Sequence, residues 1–129
     1  MKMSDRELLE LAAKAAGIAV VGFVEHVLDY DSPHYGSQAL QIGFGSCSTW
    51  NPIIHDGDAL RLAVKLRIML NREINCGCDI VEAIGPEDDN MSCHCSTESI
   101  EGDPYAATRR AIVRAAAEIG RQMQKGGAA

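Results

Sequence analysis

Ser4-Asp5-Arg6-Glu7-Leu8-Leu9-Glu10-Leu11-Ala12-Ala13-Lys14-Ala15-Ala16-Gly17-Ile18-Ala19-Val20-Val21-Gly22-Phe23-Val24 changes its periodicity once, at Gly17. Before that point Leu8, Leu11, Ala12 and Ala15 recur at helical spacing. Ser4 and Glu7 stand three apart, as in a capping box, where the hydroxyl accepts from an orphan amide and the carboxylate reaches back. Gly17 is a natural stop, because glycine takes the left-handed cap conformation without strain. After it, residues 18–28 are rich in Val, Ile and Phe, which suit a pleated backbone. The stretch predicts a helix over 5–16 followed by a strand.

Downstream, Asp29 to Gly36 carries Asp, Ser, Pro and Gly and reads as a loop. Ala39 to Phe44 is a second short strand, and Ser46 to Gly57 is irregular and holds the only tryptophan. Asp56 or Asp58 can cap a second helix with the stripe Leu62, Ala63, Leu66, Met69 and Leu70, leaving Arg61, Lys65 and Arg72 to one side. Residues 73–83 and 91–98 read as a β-hairpin joined through the polar turn 85–90. Asp103-Pro104 opens a last helix, since proline at the first position forfeits no hydrogen bond. Tyr105, Ile112, Ala116, Ile119 and Met123 line one face of it. Gly126-Gly127 begins a frayed tail. No internal repeat or linker is evident in the sequence. The order helix, strand, strand, helix, hairpin, helix predicts a single α/β (α+β) domain over 1–129, with a small antiparallel or mixed sheet sandwiched by helices.

The bulk numbers agree. The chain has 129 residues, 47% of them hydrophobic and 23% charged, as in an ordinary globular domain. With 5% aromatics, its core must be aliphatic and alanine-rich. A net charge of −6 argues against nucleic acid as a partner, because gripping phosphates takes clustered Lys and Arg. No apolar stretch is long enough to span a bilayer, which predicts no membrane partner. The N-terminus lacks the pattern of a signal peptide, so the expected address is the cytoplasm. There the five cysteines would stay thiols or metal ligands.

Three constellations are candidate sites. Cys76-Gly77-Cys78 and Cys93-His94-Cys95 fall on two strands expected to pair. Residues two apart share a face, so a favourable register would bring four sulfurs together as a zinc site. Equally, the four thiols alternate with Ile and Met as small core hydrophobes do. The second constellation is Trp50-Asn51-Pro52-Ile53-Ile54-His55-Asp56-Gly57-Asp58 before a helix N-terminus. Its aromatic, amide, imidazole and carboxylates suit a ligand or a metal. They also suit a folded loop in which Trp50 packs, Asn51 satisfies backbone groups and an aspartate caps the helix. The third is the last helix. Arg110, Arg114, Arg121 and Lys125 form a charged face, while Arg109 falls near the apolar side and either snorkels to water or meets a partner such as Asp58 or Glu82. His26 and His34 accompany no nucleophile motif, and no phosphate-binding, dinucleotide-binding, nucleophile-elbow or zinc-protease motif occurs.

Trp50-Asn51-Pro52, followed by Asp56-Gly57-Asp58-Ala59-Leu60-Arg61-Leu62-Ala63-Val64, resembles the small phage proteins grouped as the phage ABA-sandwich domain. The run from Asp103 to Gly120 is similar to the end of those proteins. The resemblance covers the first helix and the chain from about residue 48 onward. It implies a helix–sheet–helix sandwich of phage or prophage origin and no established activity, so no catalytic residue carries over. The cysteine-rich hairpin, His55 and the segment from Asp29 to Gly45 depart from the family pattern.

Three functions follow as expectations. The first is a non-enzymatic accessory module that binds a host or phage protein, as a monomer or a homo-oligomer, with Trp50 and Arg109 in the contact. The second is a small-molecule binder, with Trp50, Asn51, His55, Asp56, Asp58 and Arg61 near the pocket and Arg109 holding an anionic group such as a nucleotide phosphate. The third is a metal-dependent hydrolase using His55, Asp56 and Asp58. No cofactor is called for, apart from zinc if Cys76, Cys78, Cys93 and Cys95 converge.

Overall fold

Among the described residues the chain forms three helices and two three-stranded antiparallel sheets. The structure is a computed structural model that describes residues 3–25, 38–42, 49–75, 78–86, 95–99 and 102–126. Helix α1 spans Asp5–Ala16, with Ser4 as N-cap accepting from the Glu7 amide at 3.2 Å and Gly17 left-handed at φ 71°. Strands β1 (Val20–Glu25), β2 (Gln38–Ile42) and β3 (Thr49–Trp50) follow as an antiparallel meander. Helix α2 (Asp56–Leu66) leads into a second meander, β4 (Met69–Asn75), β5 (Cys78–Ile84) and β6 (Cys95–Ser99). Helix α3 (Pro104–Gly126) closes the chain, and the Asp103 carboxylate accepts from the Tyr105 and Ala106 amides.

The helices explain the core. Helix α1 buries Leu8, Leu9, Ala12, Ala13 and Ala16, and α3 buries Ala111, Ile112, Val113, Ala115, Ala116 and Ala117. These small side chains let the two backbones approach closely. At Gly120 a Cβ would overlap the Leu11 carbonyl oxygen, so only glycine fits that crossing. Helix α3 also packs on α2, β5 and β6 and thereby joins most of the fold. Leu40 of β2 and Trp50 of β3 complete the core from the first sheet.

Three sequence expectations change. Met69 and Leu70 belong to β4 rather than to α2, because α2 stops at Arg67, which is left-handed at φ 58°. The Arg67 and Ile68 amides bond back to Val64 and Ala63, which closes the last turn as Gly17 and Ile18 do for α1. An arginine gives no sequence warning of such a stop. Residues 73–83, read as one strand, divide into the end of β4 and most of β5, since Asn75 pairs with Cys78. The partner of β6 is indeed β5, but the turn at 87–90 lies outside the described residues. On α3, Tyr105 and Met123 are exposed, so the buried face runs through the alanines instead.

Candidate functional site

The Trp50–Asp58 segment folds on itself before it offers anything to a ligand. Strand β3 sets Trp50 opposite Leu40, and the indole is 5% exposed. Asn51, 4% exposed, accepts from the Ile53 amide through Oδ1 at 2.9 Å, while its carbonyl accepts from the Ile54 and His55 amides. Pro52 is fully buried. His55, in extended backbone, is the N-cap of α2, so neither Asp56 nor Asp58 caps it. Asp58 at the third helical position instead accepts from the Asn51 amide at 3.0 Å and from the Arg61 guanidinium at 2.8 Å. A carboxylate here also suits the positive end of the helix dipole.

Arg109 completes the arrangement from α3. Its Nε donates to the Ile53 carbonyl at 2.8 Å and a terminal nitrogen to Asp56 at 2.6 Å. The side chain is only 16% exposed, so this arginine ties the loop to α3. Its partners are Asp56 and a backbone oxygen, not Asp58 or Glu82. The other α3 arginines are also spent within the chain: Arg110 on Asp5, Arg114 on Glu98 and Arg121 on Glu118. The Lys125 side chain lies outside the described residues.

Asp56 and Asp58, proposed from the sequence as metal ligands with His55, thus face arginines and a backbone amide. Among the described residues, no three His, Cys, Asp or Glu side chains converge as a metal site would require. For the cysteines, Cys76 and Cys93 lie outside the described residues, as do His26, His34 and His94. Cys95 pairs with Ile84 at one end of β5, whereas Cys78 sits at the other. The two are therefore about 20 Å apart along the strand, so this register does not bring Cys78 and Cys95 together.

Two clefts flank α2. One, of about 400 Å³, has Ile18, Ile42, Trp50 and Leu62 as its apolar lining, with Asp58, Arg61 and Lys65 at its polar side. The other, of about 300 Å³, lies between α2, β4 and the start of α3 and is lined by Leu60, Leu70, Tyr105, Ile112, Asp56 and Arg109, among others. Leu60 is 63% exposed and Tyr105 71%, and Val64, one turn beyond Leu60, is also exposed. The sequence did carry this signal. Leu60 and Val64 stand four apart, off the Leu62–Ala63 stripe, and so form a second apolar line on α2. Comparison with known protein families, with curated proteins and with solved structures finds no match. Among the described residues, no helix is long and apolar enough to cross a membrane.

Proposed function

We propose that this chain is a non-enzymatic protein-binding module, of the phage or prophage origin its sequence resemblance implies, acting on a host or phage protein in the cytoplasm. The supporting observation is the apolar cleft at Leu60, Leu70 and Tyr105, extended along α2 by Val64. Large apolar side chains gathered in one exposed place suit a protein partner better than they suit water. In this reading the contact centres on Leu60 and Tyr105, with Arg109 in the wall of the same cleft, while Trp50 is buried in the fold. The test compares capture by wild type, Leu60→Glu and Tyr105→Ala from infected cells. The variants should lose a partner that wild type retains, with thermal unfolding unchanged because both residues are exposed. Equal capture by all three would sink the reading.

A second reading rests on the other cleft. Its volume falls in the range of small-molecule sites, and an apolar lining with Arg61 and Lys65 beside it suits a flat anionic molecule such as a nucleotide. A nucleotide that binds there would raise the melting temperature of wild type and not of Lys65→Glu. The hydrolase reading has no such support, because its carboxylates are already paired.

A further inference from the structure

Strand β4 is an edge that buries neither of its faces. Every side chain from Met69 to Ile74 is exposed, Ile74 at 76%. Strands contribute stability through packed cross-strand neighbours, and a long edge with open apolar side chains is a template for another strand. Among the described residues, none pairs with its outer side.

The order of residues along β4 indicates which strand that is. Side chains alternate, so Leu70, Arg72 and Ile74 share one face, with Asn71 and Glu73 on the other. Leu70 and Ile74 stand two residues to either side of Arg72. A second copy running antiparallel about a two-fold axis at Arg72 sets Leu70 against Ile74 on both sides of the axis. It sets Asn71 against Glu73 on the opposite face. Moving the axis to Glu73 would oppose two glutamates, and moving it to Asn71 would oppose Leu70 to Arg72. At the axis itself each Arg72 brings its own counter-charge, because Asp79 of β5 holds it by two hydrogen bonds, at 2.9 and 3.4 Å.

The backbone has the same symmetry. Only two residues separate Asn75 from its partner Cys78, and so short a connection closes on a hydrogen-bonded pair. By alternation Glu73 and Asn71 also turn their amides toward β5, while Leu70, Arg72 and Ile74 turn theirs outward.

We propose that β4 pairs antiparallel with β4 of a second copy about a two-fold axis at Arg72, fusing two three-stranded sheets into one of six strands. Such an isologous contact closes on itself as a dimer and builds no filament. It takes up Leu70 at the edge of the apolar cleft but not Leu60 or Tyr105, goes beyond the partner-binding reading and stands without it.

Sedimentation equilibrium on the reduced full chain tests the pairing, together with residue-resolved amide exchange. Wild type should sediment as a dimer of the 13.9 kDa chain, with the Leu70, Arg72 and Ile74 amides protected. Ile74→Lys, which opposes a charge to Leu70 at both sites, should weaken the dimer at least about tenfold and expose those amides. Its circular dichroism should not change, because Ile74 is exposed. Leu60→Glu should leave the dimer intact, so loss of partner capture and loss of dimer are separable. A chain that stays monomeric up to about 1 mM overturns the proposal, since that is already the weakest self-association of interest. So does a dimer that Ile74→Lys leaves unchanged while the three amides exchange freely.

Discussion

Asn51 shows how a residue that looks like a ligand can be structural. Its side chain and carbonyl satisfy three amides of the following turn, and its own amide is satisfied by Asp58. Burying an amide without its partner costs more than the bond itself contributes, so Asp58→Ala should destabilise the fold by about 1–3 kcal/mol in urea unfolding. A loss below about 0.5 kcal/mol would mean that water reaches the Asn51 amide and the loop is looser than described. The amide, the carboxylates and the arginine were all visible as sequence. Their mutual pairing was not, because Arg109 meets Asp56 across more than fifty residues of chain. Arg67 is the opposite case, a structural position that carries the wrong residue for its backbone. Its left-handed φ favours glycine, so Arg67→Gly should raise stability by about 0.5–1 kcal/mol despite the added freedom of the unfolded chain. An unchanged or lowered midpoint would show that the arginine side chain supplies compensating contacts.

At the scale of elements, α1 and the start of α3 were legible because capping residues and helical spacing agree at both. The end of α2 and the strands after it were not. Met69 and Leu70 continue the helical spacing of Leu62 and Leu66, and only the turn at Arg67 breaks it. Two glycines in helices make contrasting predictions. Gly120 lies against the Leu11 carbonyl, so Gly120→Ala must push α1 from α3 and should cost at least about 1–3 kcal/mol. Gly57, in the first turn of α2, has only the exposed Arg61 guanidinium near its added Cβ, at 3.4 Å. Gly57→Ala should therefore stabilise by about 0.5–1 kcal/mol. Thermal unfolding of the pair checks both signs, and equal effects would refute the close crossing. The hairpin of β4 and β5 adds a pH dependence. The hydrogen bond from Arg72 holds the Asp79 carboxyl below its ordinary value, so the tie contributes above the unfolded carboxylate pKa of about 4. It is lost as pH falls through the lower folded value. Asp79→Asn should remove that part of the acid sensitivity of β4 and β5 amide exchange, and an unaltered profile would assign it to another carboxylate.

For the molecule as a whole, the element order repeats a helix followed by a three-stranded meander, and α3 comes after both units. The sequence shows no repeat because the two units share only short local signals, such as an isoleucine directly after each left-handed stop. Their sheets are separate, so what joins the units is helix packing: α3 lies against α1 of the first and against α2, β5 and β6 of the second. If α3 is the common core, neither unit keeps its buried face when the other opens, and the domain should unfold in one step. Trp50, the only tryptophan, reports on the first sheet where it meets α2, while far-ultraviolet circular dichroism reports mainly on α3, the longest helix. The two signals should give coincident denaturation curves. A tryptophan transition that comes earlier would mean that the first meander opens on its own and that α3 holds chiefly the second, as expected of a locally stable unit. The apolar cleft of α2, β4 and α3 would then survive that opening, whereas the cleft at Trp50 would not.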